Sequence, residues 1–257
     1  MPQINPCHLE DIEADLAKSQ SDLSFVFHTC SDTNIGLVRI TNEDAFYVDE
    51  KKGLWLVADG MGGQLRGDKA SASVIDNIRS FTPLETLTES IKDLETRFLL
   101  ANNTCRNMYG KKVVGSTVAA LFAYRSLAIF LWAGDSRIYR LRDGVLALMT
   151  EDHCLAQERF RRGEISRDEA QLLPSANVLT RAIGIHQNLR IEMQSAVIQS
   201  GDRYLISSDG LYREFAFDEV QNMLRGNAPE KILKKITCQA LERGGKDNIT
   251  GILMTVS

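Results

Sequence analysis

Residues 116–149 hold four strand-forming runs in succession, "STVAALFAYRSLAIFLWAG" and then "SRIYRLRDGVLALM". Val, Ile, Phe and Tyr are dense there, and Arg125-Ser126 and Asp143-Gly144 fall where the chain must turn. Connections this short join antiparallel neighbours, because a parallel pair needs a crossover of about a dozen residues or more. The pattern therefore predicts a meander and argues against a βαβ series.

The remaining periodicities extend that frame. Strand candidates lie at 24–30, 36–40, 45–49 and 53–58, separated by Asp, Asn and Gly. Ala72, Ile75 and Ile78 fit one face of a helix, and Ile91, Leu94, Phe98, Ala101, Cys105 and Met108 recur by three and four on another. A polar, mainly helical insertion covers about 153–175. "RIEMQSAVI" and "RYLISS" read as strands, followed by helices near 217–224 and 229–242 and a last strand at 248–256. Strands, helices, strands, helices, strand is the order of an α+β fold with antiparallel sheets and helices on the outer faces. The chain has no internal repeat, low-complexity tract or Pro/Gly/Ser linker, so one domain is expected.

Composition bounds the function. The 257 residues are 44% hydrophobic and 25% charged, enough for a sizeable core. A net charge of -4 of mixed sign offers no basic footprint for nucleic acid and no polybasic membrane anchor. Five cysteines without a CxxC pair, no apolar-cored leader and no long apolar span predict a protein of the reducing cytoplasm. Residues 1–22 are acidic, and Leu9, Ile12 and Leu16 follow helical spacing, so a short helix packed on the domain is expected ahead of the main unit, 23–257, with a regulatory or partner-binding tail as the alternative.

The glycine-rich stretch "VADGMGGQLRGDKAS", 57–71, nearly matches a phosphate-binding P-loop, since Gly62 and Gly67 have the right spacing. Asp68 stands where that loop needs lysine, and the strand–loop–helix of a parallel sheet is missing. A different pattern is more informative. Acidic residues recur at the ends of strand-like runs: Glu43 and Asp44 in "TNEDAF", Asp59 in "LVADG", Asp135 in "WAGDSR", Asp209 in "ISSDG" and Asp247 in "KDNIT". Singly, an Asp-Gly after a strand is usually a turn. Gathered at one end of packed sheets, these carboxylates would repel one another unless protonated or neutralised by cations. Oxygen-only donors suit Mg²⁺ or Mn²⁺, and no Cys/His cluster favours zinc.

Taken in order, "GLVRITNEDAF", "VADGMGG", "GST", "WAGDSRIYRL", "TEDH", "LTRAIG", "GDRYLISSDGL" and "KDNIT" resemble the metal-dependent Ser/Thr protein phosphatases of type 2C, in their compact bacterial form, over about 24–256. The resemblance implies a four-layer α-β-β-α sandwich with a dinuclear metal site at one end. By motif match Asp59 would bridge the two ions, with Asp209 and Asp247 completing one. The Gly60 carbonyl, with Glu43 and Asp44 directly or through water, would serve the other. Asp135 with Asp209 matches the place of a third, weaker ion, and Arg39 the arginine that grips the substrate phosphate. The implied reaction is hydrolysis of phosphoserine and phosphothreonine in proteins by a metal-bridged hydroxide, without a covalent intermediate. The implied partners are phosphoproteins and a cognate Ser/Thr kinase, the enzyme acting as a monomer.

The chain also departs from the family. Met61 follows the Asp-Gly where eukaryotic relatives have histidine, and Gln64 stands where some bacterial relatives have one, which leaves the proton donor to the leaving alcohol unassigned. His153 in "TEDH" is read as hinging the segment that follows. Residues 154–175 match a mobile flap, in which "ERFRRGEISR" sets Arg159, Arg161, Arg162 and Arg167 together. Such a run is either a solvated face or a binding surface for phosphoprotein. Two other readings stand beside the phosphatase: a catalytically silent phosphoprotein-binding module, whose mark would be a lost ligand, and a serine hydrolase built on "GDS", which needs a partnered histidine and a nucleophile elbow.

Overall fold

Hydrophobic runs without polar alternation need cover on both faces, and they obtain it here by lying in the two middle layers of four. The computed structural model describes residues 25–62, 66–108, 113–173, 175–226 and 228–257, together with Leu9, Ile12 and Glu13. The strands are β1 (Phe27–Asn34), β2 (Asp44–Asp49), β3 (Leu54–Met61), β4 (Gly115–Ser116), β5 (Val118–Tyr124), β6 (Leu127–Ala133), β7 (Arg137–Arg142), β8 (Val145–Leu148), β9 (Glu192–Val197), β10 (Arg203–Ser207) and β11 (Ile249–Val256). One sheet runs β1-β11-β10-β7-β8; the other runs β2-β3-β5-β6-β9, with β4 paired to β3. All the pairings are antiparallel.

Helices α1 (Gly67–Arg79) and α2 (Leu87–Met108) cover the second sheet. The flap helices are α3 (Leu155–Arg161) and α4 (Arg167–Leu172). The short α5 (Asp209–Tyr212) leads to α6 (Phe217–Leu224) and α7 (Pro229–Glu242), which cover the first sheet. Period-two alternation divides each strand between two cores. In β3, Leu54, Leu56 and Ala58 meet the helices, among them Val74, Ile78, Leu94 and Phe98. Trp55 and Val57 face the other sheet and pack with Phe130, Ile206 and Met254. In β11, Ile249 and Leu253 pack under α7, while Ile252, Met254 and Val256 lie between the sheets. The α+β sandwich expected from the sequence is thus the observed architecture.

Two local expectations are corrected. The runs of 116–149 are consecutive hairpins, but they do not stay in one sheet: β5 and β6 belong to one and β7 and β8 to the other. The crossing is at Gly134, whose φ of 120° is reserved to glycine and whose added Cβ would come within 2.6 Å of the Thr117 side chain. Residues 36–40 are a loop and not a strand. Gly36 takes φ 81°, and the Leu37 N–H donates to the Gly245 carbonyl at 2.7 Å, so the segment folds against 245–247. Leu37, Val38 and Ile40, the apolar residues that suggested a strand, are exposed.

Leu9, Ile12 and Glu13 are helical, as their spacing predicts, while Leu16 lies outside the described residues. Leu9 is 2% exposed inside the α1–α2 core. Glu13 accepts the Leu87 N–H at 2.8 Å and the Thr88 hydroxyl at 2.9 Å, in the first turn of α2, where backbone donors lack helical partners. Leu9→Ala should therefore destabilise the domain by about 2–5 kcal/mol. Urea denaturation measures this, and an unchanged midpoint would mean that the segment is a loose tail.

Candidate metal centre

The hairpin of β2 and β3 sets Asp44 opposite Asp59 in register. Asp59 is fixed through its backbone: its N–H donates to Thr117 Oγ1 at 2.9 Å, and its carbonyl accepts the Thr117 N–H at 2.8 Å. Thr117 Oγ1 in turn lies 2.7 Å from Ser136 Oγ, which ties β3 to the sheet crossing and hence to Asp135. Behind Asp59, Gly60 and Gly67 approach backbone to backbone, and a Cβ on Gly67 would lie 2.7 Å from the Gly60 carbonyl carbon. The N-terminus of α1 is thereby drawn in, and its Gly67 N–H donates to Glu43 Oε1 at 2.7 Å. Gly63 and Gln64 lie outside the described residues.

The other sheet supplies Asp209 and Asp247. Gly210 packs on the Asn248 backbone so closely that a Cβ would reach 3.1 Å from the Asp247 Cβ. Asn248 is 4% exposed and organises the loop before β2: its Oδ1 accepts the Glu43 N–H at 2.8 Å, and its Nδ2 donates to the Ile35 and Thr41 carbonyls at 2.8 and 3.1 Å. Ser208 Oγ donates to Asp44 Oδ2 at 2.7 Å and accepts the Thr250 N–H at 3.0 Å. Arg39 reaches across to Asp247 Oδ2 at 2.6 Å with its side chain 49% exposed. Arg213 bridges Asp135 Oδ2 and Asp209 Oδ2, each at 2.8 Å.

The electrostatics are those of carboxylates short of positive charge. Burial, and then the repulsion of Asp44, Asp209, Asp135 and Asp247, raises the Asp59 carboxyl well above its ordinary value. Burial pushes Asp44 up to about 7 against the hydrogen bonds from Thr250 and Ser208, with Asp209 and Asp247 adding to the rise. Asp135 is likewise pushed to about 7 by burial and by Asp209, against the opposing charge of Arg213. Asp209 is raised by burial despite Arg213. Two fully shielded oxygens, Asp44 Oδ1 and Asp209 Oδ1, have no hydrogen-bond partner. Among the described residues no three acidic, His or Cys side chains form a tight ready-made cage. The cluster is defined by its burial, its repulsion and these two open acceptors.

The sequence assignments separate in three dimensions. Glu43, Asp44, Asp59, Gly60, Asp135, Asp209 and Asp247 gather at one end of the sandwich, with Arg39 beside them. The flap arginines are largely spent within the flap: Arg159 and Arg162 both pair with Glu164, at 3.2 and 3.0 Å. Among the described residues no carboxylate pairs with Arg161. His153 is 6% exposed and structural. Its Nδ1 accepts the Gly134 N–H at 3.1 Å, its backbone N–H donates to the Gly134 carbonyl at 2.9 Å, and its Nε2 lies 3.5 Å from Glu192. Ser136 of "GDS" is 1% exposed with its hydroxyl shared with Thr117, so it has neither the histidine nor the exposure of a hydrolase nucleophile. Sequence reasoning missed Thr117, Asn248, Ser208 and Arg213. The first three lie in motifs that were quoted, "GST", "KDNIT" and "ISSDG"; nothing marked Arg213.

The family model described as Protein phosphatase 2C matches residues 38–253. The chain is 33% identical over 238 residues to the serine/threonine phosphatase stp of Listeria monocytogenes serotype 4b, covering 86% of this chain and 93% of that one. Its fold is similar to that of PppA, described as a key regulatory component of T6SS in Pseudomonas aeruginosa, with a TM-score of 0.82 and 35% identity over 91% of this chain and 100% of the other. It is also similar to the catalytic domain of the serine threonine protein phosphatase PstP in complex with 2 manganese ions, with a TM-score of 0.80 and 27% identity over 91% and 99%.

Without divalent cations the folded chain keeps protons on Asp44 and Asp135 over a range, from the ordinary 3.8 up to about 7, in which the unfolded chain has lost them. The folded state binds more protons there, so its stability falls as pH rises through that window. A thermal melt in chelator should show the melting temperature dropping from about pH 4 to about pH 7, and added Mn²⁺ should reverse the drop. A flat profile would mean that these carboxylates are solvated.

Proposed function

The chain belongs to the protein phosphatase 2C family, the metal-dependent protein-serine/threonine phosphatases, and from that premise we propose that the carboxylate cluster at the sandwich end is its metal centre. The observation that carries this reading is the pair of shielded, partnerless oxygens, Asp44 Oδ1 and Asp209 Oδ1, among carboxylates raised by mutual repulsion. A hard cation relieves both deficits at once. Asp59 would bridge two ions of Mg²⁺ or Mn²⁺. Asp209 and Asp247 would complete one, and the Gly60 carbonyl with Glu43 and Asp44, directly or through water, the other. When bound, such ions lower the pKa of a shared water toward neutrality and neutralise the phosphoryl oxygens.

The protein's own contribution is position and charge. Thr117 and the Gly60–Gly67 contact hold Asp59 against movement when the ligand field tightens. Arg39 rests on Asp247, and its exposed fork is free to turn to a substrate phosphate, offering two parallel N–H donors. In-line transfer of a phosphoryl group asks chiefly for this kind of placement and neutralisation. The serines beside the cluster, Ser136 and Ser208, are both engaged in hydrogen bonds, which supports direct attack by water with no phosphoryl-enzyme. The substrates are proteins phosphorylated on serine or threonine. A cognate kinase and a cytoplasmic setting belong to the same proposal, supported by the free thiols of Cys30, Cys105, Cys154 and Cys238. Within the flap, 154–175, Arg161 is the arginine best placed to meet a phosphoprotein, because Arg159 and Arg162 share Glu164.

Hydrolysis of a phosphothreonine peptide in Mn²⁺ tests the assignment. Asp59→Asn should lower kcat by more than about 100-fold, since even outer partners of a metal site cost about 10–100-fold. Arg39→Ala should raise KM by roughly 10-fold to 100-fold, the worth of a charge-assisted hydrogen bond of about 1.5–3 kcal/mol. Activity that survives both chelation and Asp59→Asn would overturn the site.

A further inference from the structure

Asp135 and Asp209 are the pair that the family resemblance assigns to a third ion, and in this chain the pair is already closed. Arg213 Nη2 lies 2.8 Å from Asp135 Oδ2 and Arg213 Nη1 lies 2.8 Å from Asp209 Oδ2. The reach to Asp209 is built into α5: the Arg213 N–H donates to the Asp209 carbonyl at 3.0 Å, which puts residues 209 and 213 on one face of the turn. The reach to Asp135 exists because the chain changes sheets at Gly134. The neighbouring residue strengthens the grip, since Tyr212 Oη donates to the Asp135 carbonyl at 3.0 Å. Tyr212 is itself held by the Arg137 guanidinium, 3.8 Å above its ring, and Arg137 is anchored by two hydrogen bonds to Asp152, at 2.9 and 2.7 Å. Asp135 is thus engaged at carbonyl and carboxylate by two consecutive residues.

We propose that Arg213 is a built-in cation that takes the place of the third ion, leaving a two-metal enzyme, and that it also positions Asp209 for the core site. The residues present do not fit a further metal between Asp135 and Asp209. An ion bound there would meet a guanidinium already paired with one oxygen of each carboxylate, and at contact distance two positive charges repel strongly away from bulk water. A planar fork with two donors matches two facing carboxylates better than a point charge does, and arginine does not lose its proton. The charge at this place is therefore permanent and independent of the free Mg²⁺ or Mn²⁺ concentration. Arg213 takes Asp209 Oδ2 and leaves Oδ1, the shielded acceptor without a partner, for the core ions. Arg213 is accordingly a positioning residue.

The inference rests on the metal-centre reading, and counting bound metal separates the two. The full chain, Arg213→Ala and Asp135→Asn are stripped with chelator, saturated with Mn²⁺ under equilibrium dialysis and assayed for manganese per folded chain, with circular dichroism verifying the fold. The expected counts are two for the wild type, three for Arg213→Ala and two for Asp135→Asn. Asp135→Asn carries the test alone if Arg213→Ala fails to fold, because a third ion held by Asp135 in the wild type would be lost in that variant. A wild-type count of three that falls to two in Asp135→Asn overturns the role of Arg213 and leaves the metal centre standing. A folded Arg213→Ala chain that still binds only two also overturns it. A wild type that binds no manganese overturns both readings.

Discussion

Carboxylates brought together out of water repel one another, and the end of this sandwich is organised around keeping such a group in place. In the absence of cations, burial and mutual repulsion raise four of these carboxyls above the ordinary aspartate range. The restraints come from the backbone and from neutral side chains: Thr117 on Asp59, Ser208 on Asp44, Asn248 on the Glu43 segment. Only then do cations enter, as the two arginines that rest on the rim. A carboxylate cluster held in place by neutral groups is one that added positive charge would stabilise.

The arginines differ in what they leave free. Arg39 is half exposed and holds one oxygen of one carboxylate, so a phosphate can compete for it. Arg213 holds two carboxylates, one at the sheet crossing and one just after β10, and is braced by its neighbour Tyr212. The first is suited to exchange and the second to permanence, although both are guanidinium–carboxylate pairs of similar length.

The layers of the fold were legible because burial on both faces leaves a strong hydrophobic signature. α2 was readable from Ile91 to Met108, and α7 and β11 nearly to their ends. The split of the central hairpins was not, since a change of sheet needs only one glycine in an unusual conformation and leaves the strand pattern untouched. The exposed Leu37, Val38 and Ile40 mimicked a strand because propensity does not know that Gly36 turns the loop. The carboxylates could be read from their recurrence at strand ends. Their restraints could not, because a threonine or asparagine becomes a clamp only through partners such as Asp59 and Thr117, 58 residues apart.

β11 has a further consequence through its place in the sheet. It lies between β1 and β10, pairing Phe27 with Val256 on one side and Arg203 with Thr255 on the other. Two of the five strands of that sheet, β1 and β11, can therefore join the ladder only after β11 has been made. Asp247 immediately precedes it, so the proposed metal centre and the sheet would be completed in the same stretch of synthesis. A nascent chain that has not yet made β11 has neither, and the proposed centre would have to wait for both.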